Sequence, residues 1–193
     1  MGPQELTALV EGYLDELALT PELGELAGPI RYALAGGGKR IRPVLCLAAG
    51  EALGREPHEL LPAGAAIELV QATLGMIGGQ HADTKELGYD LEEIHRLKTG
   101  RLFYASIACA LWVAELPEAD QKPWRDFADE LGMLFQVVDD ILDGDGYVLS
   151  HGDEGARRLA DEAAERAQAR LAAIDADTSV LAEIVAGLAT RTA

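Results

Sequence analysis

Apolar residues recur every three to four positions along most of this chain, the spacing of helices buried on one side. Over residues 4–18, Leu6, Leu9, Val10, Tyr13, Leu14 and Leu17 share one face. A short helix is predicted around Ile30 to Leu34. The stretch "GGGKRIRP", Gly36 to Pro43, breaks the pattern and reads as a loop or sharp turn. Helix resumes through "VLCLAAGEALG" and stops at Gly54. "REPHELLP" reads as a connector, and "AGAAIELVQAT" as a strongly apolar helix. A glycine-broken, polar piece follows, "LGMIGGQHADTKELGYD". A long helix is then expected from about Leu91 through "ASIACALWVAEL". "PEADQKP" is a loop with a proline at each end. Trp124 to about Asp143, residues 152–173 and Ser179 to Leu188 complete the helices. Long β-branched runs are absent, so the fold class is all-α in a single domain over residues 1–193.

Composition changes this picture in one respect. Acids outnumber bases 33 to 16, giving a formal charge of -17. Such a surface repels nucleic acid and anionic membranes, so an anionic ligand needs a local basic pocket or bound cations. No stretch has the length and character of a membrane span or a signal peptide, and a cytoplasmic protein is expected. Cys46 and Cys109 lie in apolar surroundings without metal-type spacing, as reduced buried thiols do.

Two segments carry candidate chemistry. "FQVVDDILDGDG" gathers Asp139, Asp140, Asp143 and Asp145 within seven residues. On a helical wheel Phe127, Leu131, Leu134, Phe135, Val138, Ile141 and Leu142 share one broad face. Gln136, Asp139, Asp140 and Asp143 fall opposite. A solvated face is one reading. The other is a Mg²⁺ site. No Lys or Arg occurs between Arg125 and Arg157 to balance these acids, and aspartates near a helix C-terminus oppose its dipole. A hard divalent cation offsets both costs. In "GGGKRIRP", the glycines allow close backbone approach, and Lys39 and Arg42 offer charge to one polyanion. An ordinary glycine turn with solvated bases is the alternative.

Taken together these stretches resemble the trans-isoprenyl diphosphate synthases, the short-chain polyprenyl synthetases. "GGGKRIRP" is similar to that family's first signature, and "GMIGGQ", Gly75 to Gln80, to its mid-chain glycine segment. "IHRLKTG", Ile94 to Gly100, is similar to its Lys-Thr motif, and "FQVVDDILD" to its second aspartate-rich motif. The four stand in the family's order.

The resemblance implies an isoprenoid-synthase-type helical bundle around a central cavity. It implies Mg²⁺-dependent condensation of isopentenyl diphosphate with an allylic diphosphate, giving a short-chain product. Asp139, Asp140 and Asp143 would hold Mg²⁺. Lys98, Thr99 and Gln136 would contact the allylic side, with Lys98, Asp139 and Asp140 taking part in catalysis. Lys39 and Arg42 would bind isopentenyl diphosphate, and Gln71 stands where many members carry a histidine for that substrate. A homodimer is expected through the apolar "ASIACALWVAEL".

The family's first aspartate-rich motif is absent, as though a segment were missing between residues 73 and 74. The lysine-bearing loop that usually follows the second motif is absent too. Omitted residues, a degenerate or regulatory homologue acting as an interaction subunit, and a deliberate shortening each account for this. A terpene cyclase on the same fold is disfavoured, because it has no need of the basic loop.

Overall fold

A computed structural model describes residues 1–35, 39–70 and 101–191. Among these residues the chain forms eight α-helices and no strand. They are α1 (Pro3–Glu16), α2 (Ala27–Ala35), α3 (Ile41–Ala52), α4 (Pro57–Val70), α5 (Arg101–Val113), α6 (Lys122–Asp143), α7 (Gly146–Ala172) and α8 (Ser179–Ala189). The all-α reading therefore holds. None of these helices is long and apolar enough to cross a membrane.

The core follows the helical periodicity. Leu6, Val10 and Leu14 bury the inner face of α1. Leu45 and Leu47 of α3, Leu60 of α4, Phe103 and Ile107 of α5, and Phe127 and Leu131 of α6 are all fully enclosed. α3 lies against α4 and α5, and α5 against α6. α6 runs along α7, while α1 covers α3 and α4. Two glycines set the α3–α4 distance. A Cβ on Gly50 would meet Leu60 Cγ at 2.7 Å, and one on Gly64 would meet Pro43 Cβ at 3.1 Å. The helices come this close because neither position carries a side chain.

Three boundaries differ from the sequence reading. "REPHELLP" is not a connector, because α4 begins at Pro57 and carries Pro62 inside it. Pro57 needs no N–H at the first helical position, and Pro62 lies exposed, where the carbonyl it leaves unbonded can meet water. The helix expected from residue 152 already begins at Gly146 and bends at Gly152, whose φ is 71°. α5 ends at Val113, short of Leu116. The start of that helix, from about Leu91 to Gly100, lies outside the described residues.

The charged face of α7 does more than solvate itself. Arg166 Nε reaches Glu130 Oε2 of α6 at 2.7 Å, and Arg170 approaches Asp126 and Glu130 at 3.7 and 3.8 Å. These pairs clip α7 to α6 upstream of the aspartate cluster. Cys46 is buried and Cys109 half-buried, and neither is in a disulfide. Burial pushes the Cys46 thiol up to about 12, which keeps it protonated and inert.

Candidate active site

α6 ends in the aspartate cluster, and its faces are not arranged as the wheel predicts. Asp143 is exposed and Asp139 half-buried, but Gln136 and Asp140 are buried. The reason is the turn that follows. Gly144 adopts φ 72° as the helix cap and returns the chain, so that α7 covers the side of α6 that a lone helix would leave wet. Gln136 Nε2 donates to Asp140 Oδ1 at 2.7 Å, and Tyr147 N donates to Asp140 Oδ2 at 2.9 Å. Asp139 and Asp143 stand one helical turn apart on the more open side.

The basic loop divides its charges. Arg40 is 4% exposed with φ 48°, a left-handed conformation. Its guanidinium pairs with Glu11 Oε1 at 2.9 Å and Glu68 Oε2 at 3.4 Å, and donates to the Leu34 carbonyl. Arg40 therefore anchors the loop to α1, α2 and α4. Lys39 is exposed and lines a groove of about 510 Å³ with Pro3, Thr7, Ile184, Leu188 and Arg191, between the ends of α1 and α8. Arg42 points elsewhere, so the structure does not bring Lys39 and Arg42 together as one anion clamp.

Arg42 turns toward α5 and α6. Its guanidinium carbon lies 4.9 Å from the ring centre of Phe103 and 5.5 Å from that of Phe135. The two rings are 4.9 Å apart. Burial pulls the guanidinium below its ordinary value, and the negative charges of Glu68 and Asp139 oppose that pull. It stays charged at any physiological pH. Burial likewise raises the Glu68 carboxyl, against the opposing pull of Arg40 and Arg42. The loop motif and the aspartate motif, nearly a hundred residues apart in sequence, thus meet at Arg42 and Asp139.

Two polar atoms here are buried without a partner, Arg42 Nε and Gln136 Oε1. Leaving such groups unmet costs about 1–3 kcal/mol each. The carboxylates fit Mg²⁺ in donor type, being hard oxygen ligands. Among the described residues no three His, Cys, Asp or Glu side chains close on one point. From these residues alone a cation would be held by one or two carboxylates, with water and phosphate oxygens completing its shell, an arrangement that suits Mg²⁺. Gln71, Lys98 and Thr99 lie outside the described residues.

Sequence reasoning missed Glu68, Phe103 and the anchoring role of Arg40. Glu68 had a readable signal, a single acid inside the apolar run "AGAAIELV". Phe103 had none, since an aromatic in an apolar helix reads as core.

Comparison with known proteins gives these features a context. The Polyprenyl synthetase family model matches residues 71–154. The chain is 27% identical over 207 residues to geranylgeranyl pyrophosphate synthase 4 of Arabidopsis thaliana, covering 67% of this chain and 56% of that protein. It is 26% identical over 214 residues to the farnesyl diphosphate synthase of Geobacillus stearothermophilus, covering 68% and 72%. It spans 56% and 58% of the length of the two Arabidopsis relatives, the second being a heterodimeric geranylgeranyl pyrophosphate synthase large subunit. In fold it matches a geranyltransferase from Legionella pneumophila with TM-score 0.79, at 21% identity, over 98% of this chain and 96% of that one. A crystal structure of a geranylgeranyl pyrophosphate synthase matches with TM-score 0.83 at 16% identity, over the whole of both chains. The chain thus resembles the polyprenyl synthetases in sequence over residues 71–154 and shares the helical fold of these solved structures.

Proposed function

We propose that this chain derives from, and retains the binding chemistry of, a Mg²⁺-dependent prenyltransferase that joins isopentenyl diphosphate to an allylic diphosphate. The observation that carries this reading is the position of Arg42. It sets a half-buried cation on the Phe103 and Phe135 rings, with Asp139 near enough to favour its charged form. A diphosphate needs a cation that it can reach, and an apolar chain needs aromatic walls. This corner supplies both.

Each residue then has a task. The Arg42 guanidinium offers its planar donors to diphosphate oxygens. Gln136, held by Asp140, lies toward the allylic side in this reading. Asp139 and Asp143 would hold Mg²⁺, which would supply positive charge to offset the negative charge of a diphosphate leaving group. Half-buried Phe135 walls the site against water, and the enclosed Phe103 ring backs the Arg42 guanidinium. Lys98, Thr99 and Gln71 complete the substrate contacts in this reading, and Lys39, turned to the groove between α1 and α8, adds only a screened charge toward isopentenyl diphosphate.

The test is direct. The purified chain is incubated with isopentenyl diphosphate, an allylic diphosphate and Mg²⁺, and prenyl diphosphate products are separated. Product is expected, abolished by chelation and by Asp139→Ala. Folded protein that binds neither diphosphate would sink the reading.

A second reading rests on a specific observation. The chain spans little more than half of its Arabidopsis relatives and lacks the first aspartate motif. On that reading it is a non-catalytic subunit that works through a partner. Trp112, 81% exposed on α5, supports an associating surface, and we take a homodimer through that face as the simplest form. Diphosphate binding without turnover would select this second reading. A cytoplasmic location accords with either.

A further inference from the structure

Asp140 is the least exposed of the clustered acids, at 4%, and both of its carboxylate oxygens are engaged inside the protein. Its partners belong to three different pieces of chain. Gln136 lies one turn back on α6. Tyr147 N is one of the leading N–H groups of α7, which no intrahelical carbonyl can meet. The Asp140 backbone carbonyl also accepts from Gly144 N at 2.9 Å and Asp145 N at 3.2 Å. Asp145, at the cap position of α7, makes no side-chain cap bond.

The space for this carboxylate depends on Gly146. A Cβ there would lie 2.0 Å from Asp140 Oδ2, and Gly146 has φ 45°. Tyr147 is held in turn by its hydroxyl, which donates to Met133 Sδ at 3.5 Å.

We propose that Asp140 is a positioning residue rather than a metal ligand. Its carboxylate is a buckle that joins the end of α6 to the start of α7 and fixes the turn of helix presenting Asp139 and Asp143. This rests on the reading of those two residues as the Mg²⁺ face. It divides the cluster into two ligands and one brace.

The two roles are separable because an amide can replace the carboxylate in the buckle. In Asp140→Asn, Oδ1 still accepts from Tyr147 N. Nδ2 can donate to Gln136 Oε1 once the Gln136 amide turns over. The brace survives and the negative charge is lost.

The experiment uses the full chain with Mg²⁺ and inorganic pyrophosphate. Half-saturating Mg²⁺ is read by calorimetry, and protection of the Tyr147 amide by hydrogen–deuterium exchange. Asp139→Asn should raise half-saturating Mg²⁺ by about tenfold or more with the Tyr147 amide still protected. Asp140→Asn should leave both within about threefold of wild type. Asp140→Ala, and Gly146→Ala with every aspartate in place, should both expose the Tyr147 amide and weaken Mg²⁺ by about 10–100-fold, the range for groups that orient metal ligands.

If Asp140→Asn weakens Mg²⁺ as much as Asp139→Asn while Tyr147 stays protected, Asp140 is a ligand and the proposal falls. It also falls if Asp140→Ala leaves the Tyr147 amide protected. If the wild-type protein binds no Mg²⁺ with pyrophosphate, the functional reading fails along with the metal-positioning role. The exchange measurement would still report whether the buckle exists.

Discussion

Arg40 Nε lies 2.9 Å from Glu11 Oε1, and this pair ties the first helix of the chain to the loop that delivers Arg42. The loop owes its shape to a residue outside the candidate binding set. Arg40 also reaches Glu68 and the Leu34 carbonyl, so its removal strands a half-buried carboxylate and a buried acceptor. Arg40→Ala is expected to destabilise the fold by about 3 kcal/mol, the scale for breaking a buried ion pair from one side. Chemical denaturation measures this. A loss below about 1 kcal/mol would show that the pair is solvated and carries little.

The divergence of Lys39 and Arg42 predicts unequal effects. Arg42→Ala should raise KM for isopentenyl diphosphate by about tenfold or more. Arg42→Lys should rescue little, because an ammonium neither stacks on two rings nor donates in a fork. Lys39→Ala should change KM by less than about threefold, since an exposed side chain offers only a screened charge. Steady-state kinetics decides. Equal losses for the two residues would mean that they act as one clamp after all.

Glu68 gives a pH dependence with a definite sign. Burial raises its carboxyl above 4.5, so between 4.5 and its folded value the native state holds a proton that the unfolded chain has released. The stability contributed by the protonated group is complete below 4.5 and is lost as pH rises through the folded value. Glu68→Gln lacks this titration. The stability of the variant relative to wild type should therefore climb as pH rises from 4 and level off above the folded value. Urea melts of both proteins at a series of pH values measure the difference. A difference that falls over that range would show the pair with Arg40 outweighing burial.

Trp112 is the natural probe of association. Large aromatics dominate interface energies, and an indole left 81% exposed on an apolar helix has a great deal to gain from a partner. Trp112→Glu should weaken a homodimer by about 30-fold or more, the scale of a hot-spot loss. Sedimentation or light scattering over a concentration series checks it. A wild-type protein that stays monomeric throughout removes the basis for this surface.

The sequence made the helices legible because one-sided burial imposes a 3.6-residue period, and α1, α6 and α8 follow it closely. It misplaced the start of α4, because proline is read as a breaker even where its missing N–H costs little. The aspartate motif was legible as a cluster, but the burial of Asp140 inside it was not. A wheel treats α6 as a lone cylinder, whereas Asp140 is buried by α7, which returns over it after Gly144. Resemblance singled out Arg42, but not its aromatic bed. The ring of Phe103 comes from a helix sixty residues away, and nothing local to either residue announces the meeting.

The glycine pair between α3 and α4 bears on how the chain reaches this state. Gly50 and Gly64 let two helices, adjacent in sequence and joined by a short turn, pack backbone to side chain with almost no gap. Contacts this local cost little loop-closure entropy and can form before distant ones. We expect the α3–α4 hairpin to belong to the folding nucleus. Gly50→Ala should then slow refolding by nearly the whole of its equilibrium effect, a φ-value near one. The basic loop, hung on the front of α3, would acquire its foundation before α6 and its aspartates arrive.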